Sequence, residues 1–200
     1  MSLFDPSKTI TLPLQDASIE YYPQFFDLGE ANALFDELLH NTQWIEEDIR
    51  VYGKIYKQPR LTAFFANNTK KYRYSNISMT PLPFSTLLNT IKTKVEATCG
   101  TQFSSCLLNL YRDGQDSNGW HADDEKELGL NPVIASVSLG AERSFHLKHK
   151  TIKTLKYKLS LQHGSLLLMK NETQHQWLHQ IPKTKKPVGK RINLTFRLLK

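Results

Sequence analysis

Six short runs of β-forming residues crowd the second half of this 200-residue chain: "SSCLLNLYR", "PVIASVSLG", "RSFHLKH", "KYKLSLQHG", "SLLLMK" and "RINLTFRLL". Several strands at close spacing, separated by Gly, Pro and Asn turns, constrain the chain to an antiparallel sandwich or barrel. The last run alternates strictly. Side chains along a strand alternate with a period of two, so Arg191, Asn193, Thr195 and Arg197 share one face and Ile192, Leu194, Phe196 and Leu198 the other. A face with two guanidinium groups and an amide either meets solvent or points into a barrel, where it makes a site for a small carboxylate. "LLNLYRDG" offers a second strand of this kind, with Asn109 and Tyr111 opposite Leu108 and Leu110.

The first half has a different texture. Residues 30–43, "EANALFDELLHNTQ", place Ala33, Leu34, Leu38 and Leu39 at helical spacing. A second helix is predicted over "STLLNTIKTKVEATCG", with Leu87, Leu88, Ile91 and Val95 on one stripe, Ser85 as its cap and Gly100 as its stop. Between the two, "VYGKIYKQPRLTAFFANNTKKYRYSNISMTPLP" reads as hairpins and loops with exposed aromatics. At this length, with 40% hydrophobic and 22% charged residues, one packed domain is expected rather than two or a disordered chain.

The net charge of +7 gathers in "TKKYRY", "KHKTIKTLKYK" and "PKTKKPVGKR", a pattern that suits a polyanionic partner without requiring one. No apolar stretch approaches the roughly 20 residues that span a bilayer, and the first residues lack a secretory pattern, so no membrane partner is expected. Cys99 and Cys106 fit neither a CxxC nor a zinc spacing and read as reduced thiols. A cytoplasmic bacterial monomer is the expectation, or a nuclear protein if the source is eukaryotic.

"NGWHADDEKEL" carries the chemistry. In an extended H-x-D segment both side chains point the same way, so His121 and Asp123 can share one ion. A second histidine would complete a two-histidine, one-carboxylate facial triad, which holds non-haem Fe(II) and leaves three positions open. His40 falls in the first helix, His146 and His149 in a Lys-rich segment, and His163 in a turn; His175 and His179 both precede the polar strand, and spacing does not choose between them.

The order Asn109-Leu-Tyr111, His121-x-Asp123, Trp177-Leu-His179 and Arg191-Ile-Asn193-Leu-Thr-Phe-Arg197 resembles the AlkB family of Fe(II)/2-oxoglutarate dioxygenases. The blocks "HADDEKEL", "PVIASVSLGAERSF", "HGSLLLM" and "RINLTFR" strengthen the likeness, which covers residues from about 50 to 200. It implies an α+β fold with a double-stranded β-helix (jelly-roll) core over residues 101–200. Helices and a nucleotide-recognition lid would occupy residues 1–100 of the same domain. It also implies His179 as the distal metal ligand beside His121 and Asp123, with His175 a loop residue. Arg191 is implied to pair with the distal carboxylate of 2-oxoglutarate, Arg197 to lie near the chelating end, and Asn109, Tyr111 and Asn193 to bond the co-substrate. With Fe(II), 2-oxoglutarate and O2, the implied activity is oxidative dealkylation of bases such as 1-methyladenine and 3-methylcytosine. The partner would be alkylated DNA, double- or single-stranded with duplex favoured, and RNA or another substrate is the alternative.

A base must leave a duplex to reach such a centre. The resemblance puts Tyr74 and Ser75 at the alkylated-base pocket, with Tyr72 a further stacking surface and Glu125 a pocket carboxylate. Tyr52, in "VYGK", resembles a wedge pushed into the base stack. Arg112, Lys148, His149, Lys150, Lys183, Lys185 and Lys186 are candidates for phosphate contacts.

Overall fold

Two antiparallel sheets face each other in a computed structural model that describes residues 9–51, 54–67, 72–74 and 77–200. The major sheet runs β1 (Ile10–Thr11), β2 (Ser18–Tyr22), β13 (Ser165–Lys170), β10 (Ile134–Gly140), β15 (Arg191–Arg197), β8 (Ser105–Tyr111) and β5 (Leu61–Ala66). The minor sheet runs β12 (Lys156–Leu161), β11 (Arg143–His149), β14 (Trp177–Ile181) and β9 (Asn118–His121). Two hairpins, β3 (Asp48–Val51) with β4 (Lys54–Lys57) and β6 (Tyr72–Tyr74) with β7 (Ile77–Met79), stand outside both sheets. From β8 to β11 the chain changes sheet at every strand, and after the β11–β12 hairpin it does so again through β15. That alternation wraps two sheets around one interior as a jelly roll.

Both helices start where their caps dictate. Helix α1 (Leu28–Asn41) opens with a capping box: Asp27 accepts the Glu30 N–H at 2.8 Å, and the Glu30 carboxylate accepts the Asp27 N–H at 3.2 Å. Its inward stripe is buried Ala31 and Leu38 with half-buried Leu34 and Phe35; Ala33, expected on that stripe, is exposed because it lies off the i, i+3, i+7 row. Helix α2 (Thr86–Cys99) matches its predicted bounds, from Ser85, which accepts the Leu88 N–H, to Gly100 at φ 64°. That left-handed conformation is readily adopted only without a Cβ.

The helices cover the outer face of the major sheet. Leu88, Ile91 and Val95 of α2 share a core with Leu108, Leu110, Ile192, Leu194 and Phe196, the apolar sides of β8 and β15. Burying each such side chain contributes about 1.5–3 kcal/mol. The inner face joins a second core with the minor sheet, built on Phe145, Leu147, Leu161, Leu167, Trp177 and Ile181.

The sheet is not confined to the last hundred residues, since β2 pairs with β13 and β5 with β8. Nor are all the aromatics of residues 51–83 exposed. Phe64 and Phe65 are buried on opposite sides of β5, because a strand covered on both faces is apolar on both and loses the alternation that marks an exposed hairpin. Among the described residues no helix is long and apolar enough to cross a membrane.

Candidate active site

Strand register assembles a polar floor on the inner face of the major sheet. Thr62, Asn109, Asn193, Ser138 and Ser165 stand opposite one another across five adjacent strands, with Tyr111 beside Arg191 and Thr195 beside Ser136 in the flanking rows. The amides are fixed in place. Asn193 Nδ2 donates to Ser136 Oγ at 2.7 Å and to the Val137 carbonyl at 3.0 Å, Thr195 donates to Asn193 Oδ1 at 3.0 Å, and Asn109 Oδ1 accepts from Arg60 Nε at 2.7 Å.

The minor sheet faces this floor with two histidines. His121 on β9 and His179 on β14 are direct cross-strand partners, so their rings meet with centroids 4.2 Å apart, and His179 stacks on Phe145 at 5.2 Å. Two residues beyond His121, Asp123 is buried with Oδ2 3.9 Å from His179 Nε2 and Oδ1 2.6 Å from Arg197 Nη2. Its backbone N–H donates to Gln174 Oε1 at 2.9 Å. Asn109, Tyr111, His121, Asp123, His179, Arg191, Asn193 and Arg197 thus line one cavity.

Electrostatics set these groups in their ligating forms. Gly119 carbonyl accepts from His121 Nδ1 at 2.7 Å, which leaves Nε2 as the lone-pair nitrogen. Burial pushes both imidazole pKa values down, that of His179 to about 3, so the rings are neutral near pH 7. Burial alone would raise Asp123; the neighbouring Arg197 guanidinium, with His179 and His121, outweighs it and holds the carboxyl below its ordinary range. Burial raises Glu125, and the Asp123 charge adds to the effect.

Two neutral imidazoles and a carboxylate are the donor set that a non-haem Fe(II) centre uses, so these residues fit that ion. Among the described residues no three such donors are already closed around one point, and Asp123 Oδ1 is engaged by Arg197; the triad is gathered but not drawn together. The same cavity holds a buried arginine, Arg191, with unmet donors. This side chain is 1% exposed, donates from Nη2 to Ser138 Oγ at 2.9 Å and lies 5.2 Å from the Tyr111 ring, while its buried Nε and Nη1 have no hydrogen-bond partner. Leaving such donors unmet is costly, and a carboxylate satisfies both. Burial lowers the Arg191 pKa to about 10.

Other candidates are distributed differently. Tyr52 and Ser75 lie outside the described residues, and for Tyr72 and Tyr74 only the backbone of β6 is described. Glu125 is half-buried with Oε2 lacking a partner. His175 sits in a one-turn helix, α3 (Thr173–Gln176), where Nε2 accepts the Asn131 N–H at 3.2 Å. His149 is no phosphate contact, because it is buried edge-on against Trp177 and accepts the Thr151 and Ile152 N–H groups through Nδ1. Arg112 is engaged by Asp116 and Glu46, and Lys150 by Asp124. Lys183, Lys185 and Lys186 are exposed.

Sequence reasoning passed over Arg60, Arg143, Gln174 and the two serines. Period-two counting along "IASVSLG" would have placed Ser136 and Ser138 on one face. Nothing local marks Arg143, which donates to the carbonyls of Asp113, Asp116 and Pro182 and so ties together two loops far apart in sequence.

A jelly roll with such a donor set and a buried arginine inside it is the architecture of iron- and 2-oxoglutarate-dependent oxygenases. The sequence profile of the 2OG-Fe(II) oxygenase superfamily matches residues 18–197. Alpha-ketoglutarate-dependent dioxygenase alkB homolog 3 of Homo sapiens is 40% identical over 190 residues, covering 88% of this chain, which spans 64% of that relative's length. DNA oxidative demethylase ALKBH2 of Homo sapiens is 36% identical over 186 residues, covering 88% of this chain and 71% of its own. The solved structure of OsALKBH1 superposes with a TM-score of 0.68 at 14% identity, over 96% of this chain and all of that one, a likeness of fold. The chain belongs to the AlkB family of the 2OG-Fe(II) oxygenase superfamily, whose members use Fe(II), 2-oxoglutarate and O2.

Proposed function

We propose that the chain is an oxidative demethylase of N-alkylated nucleobases in DNA, such as 1-methyladenine and 3-methylcytosine, acting by direct reversal and favouring duplex substrate. The observation that carries the chemistry is the pair of neutral imidazoles, His121 and His179, gathered with the Asp123 carboxylate beside the buried, incompletely bonded Arg191. The choice of DNA rests on the likeness to the DNA oxidative demethylase ALKBH2 and on charge. Exposed Trp120, one residue before His121, carries Lys148 Nζ 4.3 Å over its ring, an aromatic surface and a cation of the kind that single-stranded nucleic acid meets.

His121, Asp123 and His179 would hold the metal. Arg191 binds the distal carboxylate of 2-oxoglutarate, with Tyr111, Asn109 and Asn193 bonding the rest of it, and Arg197 orients Asp123 so that Oδ2 is left for the ion. An Fe(II) ion held there with 2-oxoglutarate would supply O2-dependent oxidation, in which one oxygen atom would enter succinate as CO2 leaves and the other would be delivered to the N-alkyl carbon. The resulting hemiaminal releases the base and an aldehyde, formaldehyde for a methyl group. Tyr72, Tyr74, Ser75 and Glu125 line the pocket for the extruded base, and Tyr52 enters the stack it leaves. The protein works as a monomer in the cytoplasm, or in the nucleus of a eukaryote.

The test is anaerobic reconstitution with Fe(II) and 2-oxoglutarate, admission of O2, and mass spectrometry of matched single- and double-stranded oligonucleotides carrying 1-methyladenine. Loss of the methyl mass that requires both cofactors is the expected result, greater on the duplex. Succinate formation without demethylation of either DNA, or with demethylation of RNA alone, would overturn the DNA assignment.

A further inference from the structure

We infer that Gln174 is a positioning residue that couples the two ligand-bearing segments of the metal centre, an inference that rests on the metal-centre reading above. Gln174 is fully buried in α3, the single turn that leads directly into the strand bearing His179. Its Oε1 accepts the Asp123 backbone N–H at 2.9 Å, and its Nε2 points to Met169 Sδ at 3.4 Å on the cavity wall. The turn is itself anchored, since Thr173 Oγ1 accepts the Ser18 N–H at 2.9 Å from β2. Lys150 Nζ closes the outside of the same joint, donating to the Gln174 carbonyl at 3.0 Å and to Asp124 Oδ2 at 2.9 Å.

The consequence is geometric. Asp123 lies beyond the end of β9, where no ladder hydrogen bond fixes its backbone, whereas His121 and His179 are held by direct pairing. Gln174 supplies the missing backbone constraint from the chain segment that carries His179, while Arg197 holds the carboxylate itself, so the position of the Asp123 main chain relative to that imidazole is set through Gln174. Groups that orient metal ligands in this way typically change metal affinity about 10- to 100-fold when removed.

The test uses the whole chain, titrated anaerobically with Co(II) by calorimetry and by its visible spectrum, followed by 2-oxoglutarate at saturating metal. Gln174→Met keeps the length and loses the strong acceptor; Gln174→Glu keeps an acceptor oxygen. The inference expects Co(II) affinity to fall at least about 10-fold in Gln174→Met with an altered visible spectrum, and to recover to within about threefold of wild type in Gln174→Glu. It also expects 2-oxoglutarate affinity at saturating Co(II) to change less than about threefold, because Arg191 is untouched; a generally loosened fold would weaken both. If Gln174→Met does not fold, Gln174→Asn, which withdraws the acceptor by one methylene, takes its place with the same expectation. Wild-type Co(II) affinity and spectrum in a folded Met or Asn variant overturn the inference while leaving the metal centre intact. Wild-type protein that binds no Co(II), or His121→Ala that binds it as tightly as wild type, overturns the metal-centre reading and the inference with it.

Discussion

Replacing Arg191 by Met should leave the ligand-free protein almost as stable as before and abolish its grip on 2-oxoglutarate. Burial lowers the guanidinium pKa from 12.5 to about 10, which corresponds to about 3 kcal/mol of penalty for holding the charge there. Against that stands the charged hydrogen bond to Ser138, worth about 1.5–3 kcal/mol, the attraction of Tyr111 being already contained in the lowered pKa. The two sides roughly cancel, and Met fills much of the same space, so the unfolding midpoint should move by only about 2–4 °C. Binding is another matter, because the variant loses the Nε and Nη1 donors that the carboxylate would meet, at a cost of about 3–4 kcal/mol or roughly 100- to 1000-fold in affinity. The assay is thermal unfolding in Mn(II) with and without 2-oxoglutarate at 100 times the wild-type Kd. Wild type should gain about 2.7 kcal/mol, a shift of roughly 5–10 °C, and the variant no more than about 0.4 kcal/mol. Equal ligand-induced shifts in the two proteins would refute the role of Arg191, and a drop of about 10 °C in the ligand-free variant would refute the cancellation.

His121→Ala and Asp123→Ala should each abolish 2-oxoglutarate turnover while leaving nucleic-acid affinity within about threefold, since both side chains face the cavity; a folded variant that no longer binds DNA would make the segment a recognition surface. Asp116→Asn should cost about 1–3 kcal/mol at pH 7, because the carboxylate accepts the Arg112 backbone N–H and two of its side-chain N–H groups. Burial opposes the Asp116 charge, Arg112 prevails, and the folded pKa lies below the ordinary 3.8. Wild type therefore holds its advantage above about pH 4 and loses it as pH falls through that lower value. Acid-unfolding curves whose separation persists unchanged to the most acidic conditions would contradict this. Val95→Ala, at a fully buried site under α2, should lower stability by about 2 kcal/mol in urea unfolding; a loss below about 0.5 kcal/mol would mean that the helix packs loosely on the sheet.

What the sequence made legible was periodicity. Strict alternation in "RINLTFRLL" put Arg191, Asn193, Thr195 and Arg197 on one face and Ile192, Leu194, Phe196 and Leu198 on the other without saying which faces inward; the structure turns the polar face to the cavity and packs the first three apolar residues under the helices, whereas Leu198, past the end of the strand, is exposed. The second helix was equally readable, because Ser85 and Gly100 supply local termini. β5 was harder, since "LTAFFA" is covered on both faces and carries no two-residue signal. β9 and β14 are short and polar on one side, and their pairing of His121 with His179 joins residues 58 positions apart, which no local pattern encodes. Choosing His179 over His175 therefore needed the family likeness. In the structure the two differ by which element they occupy, a strand facing the cavity or the turn before it.

The two arginines of β15 explain why a single strand can serve both ends of the site. They are six residues apart on one face, so about 20 Å of strand separates them, and each meets a different electrostatic need. Arg197 is matched inside the protein by Asp123, at 2.6 Å, and that pairing keeps a buried carboxylate charged beside two neutral imidazoles. Arg191 has no carboxylate within ion-pair distance among the described residues, and its nearest companions are a serine hydroxyl and a tyrosine ring. Its contacts in the ligand-free fold roughly offset the cost of burying the charge and leave two donors unmet. A net gain comes only when an anion arrives from solution, so a substitution that leaves the ligand-free fold almost unharmed still removes the reason for a dicarboxylate to bind.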